Sequence, residues 1–120
     1  MSVSYTIDSK REIVFTNVVG VIDGAQLYEH QNKLRNDSDF HPNMRELMDC
    51  LEVMDAELRS ISYSVLRKKS PWGSNSKRAI VVSNVYAFGL LRIFQSIMSD
   101  DHGVISMFRD IDSAKNWLDL

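Results

Sequence analysis

The run Ala79-Ile80-Val81-Val82 restricts the fold more than any other segment of the chain. Four apolar residues in succession, three of them β-branched, suit a strand covered on both faces, and strands of that kind belong to parallel sheets with helices laid upon them. The rest of the chain supplies partners of the right kind. Tyr5 and Ile7 alternate with polar neighbours, and the β-branched run Ile13–Val21 follows after the short polar stretch Ser9-Lys10-Arg11-Glu12, which reads as an antiparallel hairpin. Gly20 marks a bulge or a close backbone approach within it. A third strand is expected around residues 46–51, and a last one at Val104-Ile105-Ser106-Met107-Phe108.

Between these lie segments with helical spacing. Asp23 is placed to cap a helix carrying Leu27, Gln31 and Leu34 on one face. Asp55 precedes a second, with Leu58, Ile61, Val65 and Leu66, and ending in the cations Arg67, Lys68 and Lys69. Ser83 or Asn84 opens a third, broadly apolar helix containing Tyr86, Ala87, Leu90, Leu91, Phe94, Ile97 and Met98. Asp112 is expected to cap a final short helix packed through Ala114, Trp117 and Leu118. The order β-β-α-β-α-β-α-β-α predicts right-handed crossovers and a mixed, mainly parallel α/β sheet of about five strands with four helices. At 120 residues this is a single domain, 1–120, with no linker long enough to divide it.

Charge and cysteine content narrow the function. Fourteen Lys and Arg against sixteen Asp and Glu leave a net charge of −2, which disfavours a general nucleic-acid binder. Cys50 is the single cysteine and has no intramolecular partner, which fits a reducing compartment. With no apolar run of membrane-spanning length and no leader-like N-terminus, the expected location is cytoplasmic.

Taken together, the opening hairpin, the Asp-containing strand Leu47-Met48-Asp49-Cys50-Leu51, the strand Lys77-Arg78-Ala79-Ile80-Val81-Val82 and the ending Phe108-Arg109-Asp110-Ile111-Asp112-Ser113-Ala114-Lys115-Asn116-Trp117-Leu118 resemble the SpoIIAA-like (STAS) superfamily. Antagonist-type members of that superfamily carry a serine pair at the turn after the third strand, one of which is phosphorylated. Here the turn reads Asp49-Cys50-Leu51-Glu52-Val53-Met54-Asp55-Ala56-Glu57-Leu58, with Ala56 roughly where the hydroxyl is expected. The resemblance is therefore closer to the small stand-alone bacterial proteins with this fold and no assigned role, and it implies a fold rather than a phosphorylation switch.

Candidate sites follow from local chemistry. The turn at Asp55, Ala56 and Glu57 offers a fixed negative surface to a protein partner, against the plain reading of a cap and a first-turn charge. The acid-free stretch holding Arg67, Lys68, Lys69, Lys77 and Arg78 has Trp72 at its centre, so Trp72, Lys77 and Arg78 are candidates for holding a phosphate-bearing or apolar ligand at a pocket mouth. The third helix is apolar around most of its circumference, and Phe88 and Leu91 lie off its main stripe, which points to a homodimer contact, a ligand cavity or burial within the domain. Asp100, Asp101 and His102, with His30 and His41 elsewhere, lack metal-ligand spacing, and no nucleophile elbow or phosphate-binding glycine loop is present. No cofactor or metal is expected. The reading is a non-catalytic regulatory or protein-interaction module, the alternative a binder of a small apolar or phosphate-bearing ligand such as a lipid or nucleotide.

Overall fold

The computed structural model describes residues 2–68, 70–83 and 103–120. Its strands are β1 (Ser2–Asp8), β2 (Ile13–Ile22), β3 (Arg45–Ala56), β4 (Lys77–Val81) and β5 (Val104–Phe108), and they form one sheet in the order β1-β2-β3-β4-β5. β1 is an antiparallel edge strand on β2, and the remaining neighbours pair in parallel. This is the mixed α/β sheet that the alternation of segments predicts. The helices are α1 (Gly24–Arg35), α2 (Tyr63–Lys68) and α3 (Ile111–Trp117).

Because each parallel strand is added on the same side of the last, right-handed crossovers place their connecting helices on one face of the sheet. The apolar packing follows that rule. Leu27 and Tyr28 of α1, with Ile61 and Leu66, pack against Val18, Cys50, Ile80 and Ile105. The opposite face is covered by α3, where Ala114 and Leu118 meet Ile13, Leu47, Ala79 and Val81. Successive residues of β4 therefore enter different cores, which is why Ala79-Ile80-Val81-Val82 is apolar without interruption. A third apolar cluster, Val14, Leu34, Met44 and Trp72, closes the end of α1 against β2.

Local chemistry sets the element ends. Asp23 caps α1 by accepting from the Gln26 amide at 3.0 Å, while the Gln26 side chain takes the Asp23 amide in return. Gly20 has φ of 85° beside a register shift of β2 on β3, a conformation that glycine adopts without steric penalty.

Four features depart from the sequence reading. β3 does not stop near residue 51 but runs to Ala56, because β2 continues alongside it to Ile22. Asp55 is consequently a strand residue and caps no helix, and the second helix shrinks to α2 after a 3-10 turn at Leu58–Ser60. The final helix is capped by Asp110, which accepts from the Ser113 amide at 2.7 Å, while Asp112 sits in the first turn. The expected total of four helices is not what the described residues present. They hold two helices of seven residues or more, α1 and α3, besides the short α2, and the expected third helix lies outside the described residues.

Two cations fix the C-terminal end of α3. Lys77 donates to the Trp117 carbonyl and lies 4.3 Å from the centre of the Trp117 ring, and Arg45 donates to the Leu118 carbonyl. Positive charge is favoured at a helix C-terminus and over an indole face. Lys77→Ala is expected to lower stability by about 1 kcal/mol, since each such contact contributes roughly 0.5–1 kcal/mol. Urea denaturation checks this, and an unchanged midpoint would make the contacts energetically idle.

Candidate functional site

Asp55, Ala56 and Glu57 stand at the far end of β3. Asp55 is exposed and its carboxylate accepts from the Ala56 amide at 2.8 Å. Glu57 anchors the 3-10 turn, with one carboxylate oxygen accepting from the Arg59 amide at 3.1 Å and the other from the Ser60 amide at 2.9 Å. Ser60 in turn accepts from the Gly24 amide, so Glu57 also holds the start of α1 in place. Around these acids the strand tip is apolar and open to solvent. Met54 is 76% exposed and Val21, on the paired stretch of β2, is 47% exposed. The pairing of β3 with β4 ends at Asp49 and Val81, so this two-stranded tip projects past β4.

Trp72, Lys77 and Arg78 separate. Lys77 faces α3, as above, whereas Arg78 is on the α1 side of the sheet, in keeping with strand alternation. Trp72 and Arg78 do come together. The guanidinium carbon is 5.0 Å from the centre of the indole, which also meets the Phe40 ring edge-on at 5.0 Å. Both residues are buried, Arg78 to 4% exposure. Phe88 and Leu91, like Asp100, Asp101 and His102, lie outside the described residues.

Arg78 belongs to a buried polar cluster that the sequence reading did not assemble. Glu46 is its register partner on β3 and is 1% exposed. One Glu46 carboxylate oxygen accepts from the Thr16 hydroxyl at 2.7 Å and lies 3.4 Å from His30 Nε2. Burial pushes the Glu46 carboxyl up, but the bonds from His30 and Thr16 and the charge of Arg78 outweigh it and hold the group below the usual carboxylate range. The Arg78 guanidinium is pulled down to about 10 by burial, with the Glu46 charge opposing, and so stays cationic at neutral pH. Its Nε and Nη2 have no hydrogen-bond partner. The signal for this cluster was parity: Glu46 and Arg78 each begin the α1-facing row of an interior strand. Cys50, also on that face, is buried, and burial with the charges of Glu46 and Asp49 pushes its thiol far above the range of a reactive cysteine.

A solved structure that matches the chain is that of an uncharacterized protein of the DUF3478 family from Shewanella loihica PV-4, described as having a SpoIIAA-like fold. It is 15% identical, the alignment covers 98% of this chain and 92% of that one, and the TM-score is 0.62. The fold is SpoIIAA-like. No protein-family model and no curated protein matches the chain. Among the described residues no three His, Cys, Asp or Glu side chains converge as a metal site, and no helix is long and apolar enough to cross a membrane.

Proposed function

We propose that this chain is a non-catalytic interaction module that docks a protein partner on the projecting tip of β2 and β3. The observation that carries the reading is the exposure of Met54 and Val21 on a paired ribbon that outruns β4. Large apolar side chains held rigidly in solvent, with a polar rim, are the usual makings of a binding surface. The rim here is acidic: Glu52, Asp55 and Glu57 are all exposed beside Met54. The matching partner surface presents an apolar pocket edged by Lys or Arg, so that opposite charges steer the encounter and the apolar contact holds it. Rigidity comes from below, through the Glu57 bonds to the 3-10 turn and the Ser60 contact with α1.

Met54→Asp tests the reading cleanly. Met54 buries little, so stability should move by no more than about 0.5 kcal/mol. Partner affinity should fall about tenfold or more, as for a central interface residue. Proteins retained from a cell extract by the wild-type chain and lost with Met54→Asp are to be identified and their affinities measured with purified components. Equal affinity for both chains would place docking elsewhere and end this reading.

A further inference from the structure

We infer that β1 is a homodimer seam: two copies of this chain pair their β1 strands antiparallel about Tyr5, so that their sheets run on as one. β1 is an end strand of the sheet, and among the described residues its ladder partner is β2 alone. Its outer side therefore offers the amide and carbonyl groups of alternate residues to another strand. Natural sheets blunt such an edge with lysine, proline or a bulge. β1 uses none of these: Ser2–Asp8 contains no lysine and no proline, and its pairs with β2 run without a register shift.

The sequence of the strand selects the occupant. Turned about Tyr5, the run Val3-Ser4-Tyr5-Thr6-Ile7 nearly reads as itself. Antiparallel pairing of two copies sets Val3 against Ile7, Ser4 against Thr6 and Tyr5 against Tyr5. Val3, Tyr5 and Ile7 are half-buried and pack toward α1, while Ser4 and Thr6 are exposed on the other face. Each pair thus joins apolar to apolar or hydroxyl to hydroxyl, combinations that stabilise a ladder. A two-fold contact of this kind closes after two copies.

The helix layer agrees with the same two-fold. Glu29 and Lys33 are exposed on α1, 3.1 Å apart, and line an open groove along this edge with Val3, Ser4 and Tyr5. The rotation that reverses β1 also reverses α1, so Glu29 of each copy is turned toward Lys33 of the other, as charge complementarity asks. β1 begins opposite Val19, short of Val21 and Met54. The dimer therefore leaves both tips of β2 and β3 free, at opposite ends of the joined sheet.

Sedimentation velocity on the whole chain, with amide exchange, tests the seam. The wild type is expected to sediment as a dimer, with consecutive amides of residues 3–7 protected, where a free edge protects alternate ones. Ser4→Lys with Thr6→Lys puts like charges opposite each other twice and should weaken the dimer about tenfold. Ser4→Lys with Thr6→Glu puts opposite charges there and should restore it. Both positions are exposed, so the fold should tolerate either pair. Should the first pair fail to fold, the wild type and the second pair decide alone. A wild-type chain that stays monomeric at every concentration, or that grows past two copies, would overturn the inference. So would a dimer indifferent to the first pair of substitutions, or one that the second pair leaves as weak as the first.

Discussion

Glu46→Ala should cost about 3–5 kcal/mol, the loss typical of removing one member of a buried charged pair. The carboxylate is the acceptor for the Thr16 hydroxyl, lies beside His30 and supplies the negative charge that acts on Arg78, its register partner, so its removal strands three groups at once. Glu46→Gln keeps the volume and an acceptor oxygen and should lose less, about 1–3 kcal/mol. The acid limb of stability gives an independent check. The folded-state carboxyl is held below its ordinary value, so its contribution is present above the unfolded value of about 4.3 and is lost as pH falls through the lower folded one. Stability of the wild-type chain should therefore drop more steeply below about pH 4 than that of Glu46→Gln. Parallel acid limbs in urea denaturation would show that the carboxylate contributes nothing specific.

The second large effect is steric. Gly24 opens α1 directly against the 3-10 turn, where a Cβ would stand 1.8 Å from the Ser60 carbonyl oxygen and 2.6 Å from its carbon. Those are backbone atoms and no rotamer relieves them. Gly24→Ala must push α1 off the turn and break the bond from the Gly24 amide to Ser60 Oγ. A loss of about 3 kcal/mol is expected, at the upper end of overpacking costs, equivalent to a Tm fall of roughly 10 °C. Ser60→Ala removes only the hydrogen bond and should cost about 1 kcal/mol. If Gly24→Ala were no worse than Ser60→Ala, the close approach of α1 to the turn would be wrong.

The sequence makes legible whatever depends on local pattern. Ala79–Val82 announces a doubly covered strand, and Asp23 with Gln26 three residues on is the cap that opens α1. The end of β3 was harder, because residues 52–57 mix acids with apolar residues in a way that suits a helix start as well as a strand. Pairing with β2 out to Ala56 decides between them, and that is a long-range contact. The same limit hid the polar cluster. Strand alternation gives Glu46 and Arg78 their faces, but only the register of β3 on β4 sets them opposite each other, and only the crossover brings His30 over them. Trp72 and Arg78, singled out for their chemistry, do meet, while Lys77 is turned away by the one-residue offset between neighbours on a strand.

The most direct test of the account is amide hydrogen exchange on the chain alone and with a partner retained through Met54. Slowed exchange concentrated at residues 19–22 and 52–57, with little change along α1 and β1, is the predicted result. Protection centred on α1 or the β1 edge, with the tip of β2 and β3 exchanging as freely as before, would contradict it.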